Sequence, residues 1–474
     1  MDPKSKYVIF GAGIWGMRFY AEYGNNYDIN CFCDNDKNKQ GTKYLGLPVI
    51  APEEIKTRKL KVIIPSKKHF EMAQQLFVLG IKDFYLLRPD TMNEIVYIDL
   101  NQYEELSHPM RICAVETRGV GSGARALKKY NPYEDIDICI FENGFEDDID
   151  IYGSSDMYYI YFSSSIFITQ VFNKIPGKKC IELWHGFTIK ALWDASYSDY
   201  ENKCFDYMNE HKYFERDAIC SYSRLYSIFF GFCMKATQDK FHITGMPRND
   251  LLMLSDAKSN IKRLLGGFSQ KHIVFYIPTH RDYYDSEIDV NKVNSHIFSW
   301  ADFDIDNFDT FLAENDILFV AKFHYYEAKR FVVKNTKNIV SLDDNLFNEN
   351  DMFLYEVLGA ADILITDYSS VSVDFLLLDK PIIYAVQDIE KYSTTRGLMT
   401  EPFDEWAPGE NILDFKGLKT SILGALLGED EHKEKRDRIR KIMHKYDDAQ
   451  STRRVLDLAR KIIEDDNIEK DKTI

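Results

Sequence analysis

The sequence predicts an α/β protein built from parallel sheets, and two observations support this. Short apolar runs rich in β-branched residues alternate with helical patterns, for example at residues 7–10, 273–277 and 363–365. Several runs end in polar clusters, at the point where parallel strands form the ligand-binding edge of such folds. With 474 residues, of which 45% are hydrophobic, the chain is long enough for two to four domains.

Composition excludes some functional classes. The 59 basic and 75 acidic residues leave a net charge of −16, which argues against a nucleic-acid partner and against broad attraction to anionic lipid. The eight cysteines have no zinc-site spacing, so we expect buried, reduced thiols. No signal-peptide pattern or membrane-spanning apolar run is present. We therefore expect a cytoplasmic protein; an oligomer is compatible with the sequence.

Residues 1–97 are predicted to form a small Rossmann-like domain. A strand leads into the motif Gly11-x-Gly13-x-x-Gly16, a helix follows, and a second strand ends at Asp34, 21 residues after Gly13. This spacing is typical of nucleotide-binding turns. Gly11, Gly13, Gly16 and Asp34 are therefore candidates for a nucleotide site. A fold retained only for assembly is the alternative.

Two larger α/β units are predicted to follow, over residues 98–270 and 271–450, and then a C-terminal helix and tail over 451–474. Gly266 and Gly267 mark the boundary between the two units. Apolar runs in the first unit occupy residues 136–141, 158–162 and 180–184. Predicted strands in the second unit occupy residues 273–277, 317–321, 338–342, 363–366 and 382–385.

The turn Asp367-Tyr368-Ser369-Ser370 follows a buried strand and precedes a helical pattern. Unpaired N–H groups and serine hydroxyls at the start of a helix suit a phosphate. The alternative is that Ser369 or Ser370 only caps the helix.

His185 follows the run 180–184 and is itself followed by Gly186. A histidine past the carboxyl end of a parallel strand lies where such folds bind ligands, and its near-neutral pKa allows it to accept a proton from a hydroxyl. A histidine held by a backbone carbonyl, in the core or at the surface, is the alternative.

Polar clusters at further strand ends suit a pyrophosphate, whose charge cations neutralise. Arg281 and His280 follow the strand at 273–277, and Lys322 and His324 follow the strand at 317–321. Arg281 could instead pair with a neighbouring aspartate, and His280 could face solvent.

Two further residues have open interpretations. Arg248 follows a Gly-Met-Pro turn and could face a cleft between the two units or form a structural ion pair. Glu356 is polar within an apolar helical pattern and could meet a nucleotide ribose or cap a neighbouring loop.

Taken together, these motifs resemble the CDP-glycerol glycerophosphotransferase family, whose members extend teichoic acids and related polyol-phosphate or capsule polymers in bacteria. The resemblance covers residues 110–450. The matching segments are Leu183-Trp184-His185-Gly186 with Lys190, Thr244 to Asp250, Pro278 to Asp282, Lys322-Phe323-His324, Leu364 to Asp374, Asp379 to Tyr384 and Tyr392 to Gly397.

The resemblance implies a GT-B glycosyltransferase-like architecture, with two Rossmann-like lobes facing each other across a cleft. The acceptor lobe would be 98–270 and the donor lobe 271–450, with no metal or other cofactor required. His280 departs from the aromatic residue usual at its position. The implied site residues are His185, His324 and Arg281 for catalysis; Thr279, Lys322, Glu356, Asp367, Ser369, Ser370 and Asp374 for the donor; and Gly186, Lys190 and Arg248 for the acceptor.

The implied reaction moves glycerol phosphate or ribitol phosphate from CDP-glycerol or CDP-ribitol to a hydroxyl of a cell-surface polymer or lipid-linked saccharide, and releases CMP. A lipid-linked acceptor implies a location at the cytoplasmic face of the membrane, with peripheral contact. Two alternatives stay open: a GT-B sugar transferase using a nucleotide-sugar, and a non-catalytic nucleotide-binding assembly factor that uses the glycine motif.

Overall fold

Three sheets follow one another along the chain, and each is parallel at its centre. They confirm the predicted α/β fold class. The computed structural model describes residues 1–2, 4–66, 68–88, 93–103, 110–117, 122–143, 154–171, 175, 177–197, 203, 206, 215–279, 297–298, 300–323 and 335–471.

The first sheet belongs to the N-terminal part of the chain. Its strands are β1 (Lys6–Phe10), β2 (Asp28–Cys33), β3 (Lys43–Tyr44), β4 (Leu47–Ile50), β5 (Lys61–Ile64), β6 (Asp83–Leu87) and β7 (Ile95–Asp99). Its helices are α1 (Ile14–Tyr23), α2 (Glu54–Thr57) and α3 (His69–Val78). The order is β3-β4-β2-β1-β5-β6-β7, with antiparallel strands at both edges.

The second sheet is parallel, with the order β13-β12-β11-β10-β8-β9. Its strands are β8 (Arg111–Thr117), β9 (Asp137–Asn143), β10 (Ile166–Thr169), β11 (Lys179–Glu182), β12 (Ala218–Ser221) and β13 (Phe241–Ile243). Its helices are α4 (Gly123–Lys129), α5 (Ser155–Ser163), α6 (Arg224–Cys233), α7 (Pro247–Leu254) and α8 (Ala257–Leu264). The turn that carries His185 therefore leaves an inner strand, β11.

The third sheet is also parallel, with the order β16-β15-β14-β17-β18-β19. Its strands are β14 (His272–Tyr276), β15 (Ile317–Ala321), β16 (Ile339–Ser341), β17 (Ile363–Thr366), β18 (Ile382–Ala385) and β19 (Glu410–Ile412). Its helices are α9 (Ile305–Glu314), α10 (Asp344–Glu349), α11 (Leu354–Val357), α12 (Val371–Phe375), α13 (Ile389–Thr395), α14 (Phe403–Trp406), α15 (Phe415–Leu427) and α16 (Lys433–Met443). The turns that follow β14, β15 and β17 meet at one edge.

The last helix, α17 (Ser451–Asp471), returns from the third sheet to pack against the second. The carboxylate of Asp250 accepts the backbone N–H groups of Ser451 at 3.1 Å and of Thr452 at 2.7 Å. Arg460 forms two hydrogen bonds of 2.9 Å with Asp135. The chain therefore links its two larger units at both ends of the third sheet.

The N-terminal sheet shares a hydrophobic core with the second sheet. Helices α3 and α5 form the layer between them, in which Phe70 stacks on Tyr161 at 4.5 Å and Phe77 on Phe162 at 4.8 Å. The apolar run 158–162 belongs to α5 and not to a strand. The first 99 residues thus pack against the second unit through a shared hydrophobic core.

Within the described ranges, no helix combines the length and apolar character needed to cross a bilayer. The described cysteines are free thiols, all buried apart from the half-buried Cys139. Cys204 lies outside the described residues.

Replacing His69 with asparagine should remove part of the pH dependence of stability. Nδ1 of His69 lies 2.5 Å from the hydroxyl of Tyr158, and burial lowers the pKa of His69 to about 4. In the unfolded chain the imidazole of His69 has its ordinary pKa of about 6.5. In the folded chain it stays neutral until the pH approaches 4. The stabilisation is therefore complete above pH ~6.5 and is lost as the pH falls towards 4. The free energy of unfolding at pH 7 and pH 5 measures it.

Tyr158→Phe is the matched control, because it removes the hydrogen bond and keeps the titrating ring. It should retain the acid sensitivity that His69→Asn loses. Equal acid sensitivity in the wild type and in His69→Asn would contradict the assignment.

Candidate active site

The turn that carries His185 has an unusual backbone. Trp184 has φ +59°, in the left-handed region that costs a non-glycine residue about 1–2 kcal/mol. The Trp184 ring lies 3.9 Å from the His185 ring, between centroids. Nδ1 of His185 lies 3.5 Å from the carbonyl oxygen of Gln170, at the long end of the hydrogen-bond range.

The serine turn follows β17. Ser370 occupies the capping position of α12, but its side chain makes no capping hydrogen bond, and Ser369 and Ser370 are both partly exposed. The Tyr368 ring between them and β17 is buried and stacks on Tyr392 at 4.3 Å. The capping alternative therefore does not account for the Ser370 hydroxyl.

The histidine turn and the serine turn meet across the two lobes. A Cβ atom built on Gly186 would lie 2.4 Å from Oγ of Ser370, so a side chain at position 186 would displace the Ser370 hydroxyl. The peptide directly after His185 therefore touches the turn expected to bind phosphate. This contact brings together the two motifs that the sequence separates by more than 180 residues.

Arg248 and Asp374 form a buried ion pair with each other. They are 5% and 0% exposed, and the guanidinium also donates to the carbonyl of His185 and, at 2.9 Å, to the hydroxyl of Tyr222. Burial acts to lower the pKa of Arg248, but the charge of Asp374 outweighs it and raises that pKa. The arrangement therefore favours the structural ion pair for Arg248 over an acceptor contact, and Asp374, which was predicted for the donor, is the partner in that pair.

Glu356 is also engaged and buried. One oxygen accepts the N–H of Phe353 at 3.1 Å, which caps its own helix, and the carboxylate pairs with Lys129 at 2.9 Å and Arg125 at 3.0 Å. Both cations belong to α4 of the other lobe. Glu356 therefore caps its own helix and pairs across the lobes, and a ribose contact stays a prediction.

Two further candidates hold the loops of the donor lobe. The carboxylate of Asp367 accepts the N–H of Thr279 at 2.8 and 3.0 Å, and Lys322 pairs with Asp344 at 3.0 Å. Asp367 therefore anchors the start of the segment that carries Arg281. The candidates His324 and Arg281, and also His280, lie outside the described residues.

Lys190 lies in a segment that forms backbone hydrogen bonds between the two lobes. It forms an antiparallel bridge with Leu398. The flanking bonds run from the N–H of Ala191 to the carbonyl of Gly397 at 3.0 Å and from the N–H of Met399 to the carbonyl of Ile189 at 2.7 Å. The acceptor lobe therefore contacts the donor lobe at residues 189–191 as well as at Gly186.

In the N-terminal domain, the glycine motif has the expected geometry. Gly11 has φ +113°, and a Cβ atom on Gly16 would lie 2.0 Å from the Gly11 carbonyl oxygen. Asp34, however, accepts the N–H of Ala12 at 2.9 Å and pairs with Lys39 at 3.0 Å. The carboxylate that would bind a ribose is therefore occupied from within the loop.

Several residues around the site were not among the sequence candidates. They contact the candidates or the neighbouring Trp184 directly and are Gln170, Glu182, Tyr222, Asp344 and Tyr355. Of these, Glu182 could have been identified from the sequence, because a charged residue is unusual in an apolar run such as the one that precedes His185.

Comparison with protein families gives a direct assignment. The model described as CDP-Glycerol:Poly(glycerophosphate) glycerophosphotransferase matches residues 145–461, two thirds of the chain. The chain belongs to this family. A second model, described as C2185-like, N-terminal, matches residues 3–83.

Individual relatives agree with the family. The chain is 26% identical over 277 residues to the teichoic acid glycerol-phosphate primase of Bacillus subtilis (strain 168), covering 56% of this chain and 66% of the relative. It is 23% identical over 287 residues to the teichoic acid ribitol-phosphate polymerase TarK of Staphylococcus aureus, covering 59% and 52%. The chain thus spans between half and two thirds of the length of these relatives.

The fold is also found in a solved structure. The wall teichoic acid polymerase TagF superposes with a TM-score of 0.59 at 20% identity, over 77% of this chain and 92% of TagF. Together with the two facing parallel sheets, this confirms the expected GT-B-like architecture.

Replacing Arg248 with methionine should destabilise the protein by about 3–5 kcal/mol, because Asp374 would be left buried without its partner. The free energy of unfolding in urea measures the loss. The double variant Arg248→Met/Asp374→Leu should lose less than the single variant, since no buried charge remains.

Arg460→Met is the matched control for the Arg248 variant. Its partner Asp135 also links two units, but the pair is exposed, so little change is expected. Equal losses for Arg248→Met and Arg460→Met would contradict the role given to the buried pair.

Proposed function

We propose that the chain transfers a polyol phosphate from a CDP-activated polyol, CDP-glycerol or CDP-ribitol, to a hydroxyl of a polymer or lipid-linked saccharide. His185 takes the proton of the acceptor hydroxyl, and the oxygen attacks the β-phosphorus of the donor. The bond from that phosphorus to the bridging oxygen breaks, and CMP leaves. The product is a phosphodiester.

One observation carries this proposal: the backbone after His185 lies against Ser370. The built Cβ of Gly186 falls 2.4 Å from the Ser370 hydroxyl oxygen. A base and a phosphate-binding turn must face each other within a few ångströms for an in-line attack. Their convergence supports transfer at this cleft.

The donor side supplies groups that suit a diphosphate. The Ser369 and Ser370 hydroxyls can donate hydrogen bonds, and Lys322, which follows β15 two strands away in the same sheet, is a cation that can turn from Asp344 to a phosphate. Preorganised donors of this kind stabilise the charge that develops on phosphoryl oxygens. Arg281 and His324 are proposed to complete this side.

The relatives favour a CDP-polyol over a nucleotide-sugar. The named relatives act in teichoic acid glycerol-phosphate or ribitol-phosphate synthesis, and one TagF structure was soaked with CDPG. The engaged carboxylate of Asp34 argues against the alternative in which the glycine motif is the working site.

His185→Ala should lower the rate of CMP release at least 10²-fold, because a general base contributes roughly 10²–10⁴-fold. The assay supplies CDP-glycerol or CDP-ribitol with a lipid-linked acceptor and measures CMP by chromatography. A new phosphodiester resonance in the ³¹P NMR spectrum identifies the product.

His432→Ala serves as the control, since His432 lies at the surface and pairs with Glu410. It should turn over at the wild-type rate. Near-normal CMP release by His185→Ala would refute His185 as the base, and a glycosidic product would refute phosphate transfer.

We also propose peripheral membrane contact, through the outer face of α6. Ile228 and Phe232 lie one turn apart and are 47% and 61% exposed, with Arg224 exposed one turn earlier. An exposed apolar strip beside a cation suits an anionic bilayer surface. On its inner face, Phe230 packs 5.2 Å from the ring of Trp184, so this surface lies close to the acceptor site.

The double variant Ile228→Ser/Phe232→Ser should bind phosphatidylglycerol-containing vesicles at least tenfold more weakly, because each side chain contributes about 1.5–3 kcal/mol when buried. Flotation with vesicles measures the bound fraction. Leu427→Ser is the control, as Leu427 is 77% exposed at the end of α15. Equal binding by all three proteins would contradict the assignment of this face.

A further inference from the structure

The turn that carries His185 is anchored by the ends of two neighbouring strands, β10 and β11. Strands β10 and β11 pair in parallel, with Thr169 opposite Glu182. The pairing continues past the strands, where the N–H of Leu183 donates to the carbonyl of Thr169 at 2.8 Å. The backbone that leads to His185 is therefore fixed up to residue 183.

Glu182 holds the next peptide. Its side chain is fully buried, one oxygen accepts the N–H of Trp184 at 2.9 Å, and the other accepts the hydroxyl of Thr169 at 2.5 Å. Nε of Arg216, also buried, lies 3.8 Å from the same carboxylate. The carboxylate thus accepts the backbone N–H of the residue directly before His185.

This contact explains the backbone of Trp184. A tryptophan with φ +59° needs surrounding contacts to hold it there. One such contact is the hydrogen bond from the Trp184 N–H to Glu182. The Trp184 ring also packs against Trp193 at 5.0 Å and Phe230 at 5.2 Å, between ring centroids. The turn therefore directs His185 out of the sheet.

A second buried residue faces the imidazole. Gln170 is 1% exposed, and its side chain donates to the carbonyl of Val115 at 2.9 Å and to Glu116 at 3.2 Å. These bonds fix its backbone carbonyl, which lies 3.5 Å from Nδ1 of His185. A carbonyl only accepts, so it favours the tautomer with the proton on Nδ1 and leaves Nε2 able to take a proton.

We infer that Glu182 is a positioning residue for His185, because its buried carboxylate fixes the left-handed Trp184 peptide and thereby the place and tautomer of the imidazole. This inference rests on the proposed function, in which His185 is the base. Glu182 itself is fully buried and acts on His185 through the Trp184 peptide.

The test compares two double variants that differ only in the acceptor oxygen at position 182. Both carry Arg216→Leu, so that no buried cation is left without a partner. One adds Glu182→Leu, which removes the acceptor for the Trp184 N–H. The other adds Glu182→Gln, whose carbonyl oxygen can accept that N–H while its NH₂ group donates to Thr169.

We expect the Glu182→Leu double variant to lose about 10²-fold in kcat, as a misplaced reacting group does, and the Glu182→Gln double variant to stay within tenfold of the wild type. Both should bind CDP-glycerol with wild-type affinity, measured by calorimetry. That split between kcat and donor affinity is not expected of a general structural defect. Equal kcat losses in the two double variants would overturn the inference.

A second measurement does not depend on turnover. In protein labelled with ¹⁵N-histidine, the ring nitrogens of His185 are assigned by their absence in His185→Gln. The wild type and the Glu182→Gln double variant should show a single tautomer with the proton on Nδ1, and the Glu182→Leu double variant should lose it. Identical His185 spectra in the two double variants would overturn the inference. Absence of CMP release by the wild type would instead refute the proposed function.

Discussion

The arrangement of the cleft depends on the buried ion pair between Arg248 and Asp374. Arg248 belongs to α7 of the acceptor lobe and Asp374 to α12 of the donor lobe, and the same guanidinium holds the carbonyl of His185. Desolvating both charges is expensive, and only good geometry and added hydrogen bonds offset the cost. The hydroxyls of Tyr222 and Tyr355 supply such bonds.

The compensation around this pair is incomplete, because Nε of Arg248 and Oδ1 of Asp374 have no hydrogen-bond partner. An apolar pair of similar size could be equally stable. We therefore interpret the main role of the pair as fixing the relative position of the two lobes. It sets the distance between α7 and α12, and with it the distance from His185 to the serine turn that begins α12.

Other interlobe contacts also fix the relative position of the two lobes. Glu356 of the donor lobe pairs with two cations of α4, residues 189–191 pair with 397–399 through their backbones, and Asp250 caps the returning helix α17. One hydrophobic core also runs through both lobes. A cleft enclosed in this way is preorganised, so substrate binding need not supply the energy to bring His185 and the serine turn together.

The sequence predicts the parts of this molecule that local patterns encode, and it cannot predict the pairings made over long distances. β-Branched runs located β14, β15 and β17 within one residue at each end. The run 158–162 forms part of α5, because a short apolar run suits a buried helix as well as a strand.

Glu356 shows why long-range pairings cannot be predicted. Its partners Arg125 and Lys129 lie more than 220 residues away in the sequence. No local pattern therefore distinguishes a carboxylate that is paired within the protein from one that is available to a ribose. The same reasoning applies to the glycine motif, where Gly11 and Gly16 satisfy the packing needs of a Rossmann turn while Lys39 and the N–H of Ala12 occupy Asp34. A motif thus specifies the backbone that its residues require, and the partners of its charged side chains decide whether a ligand can use it.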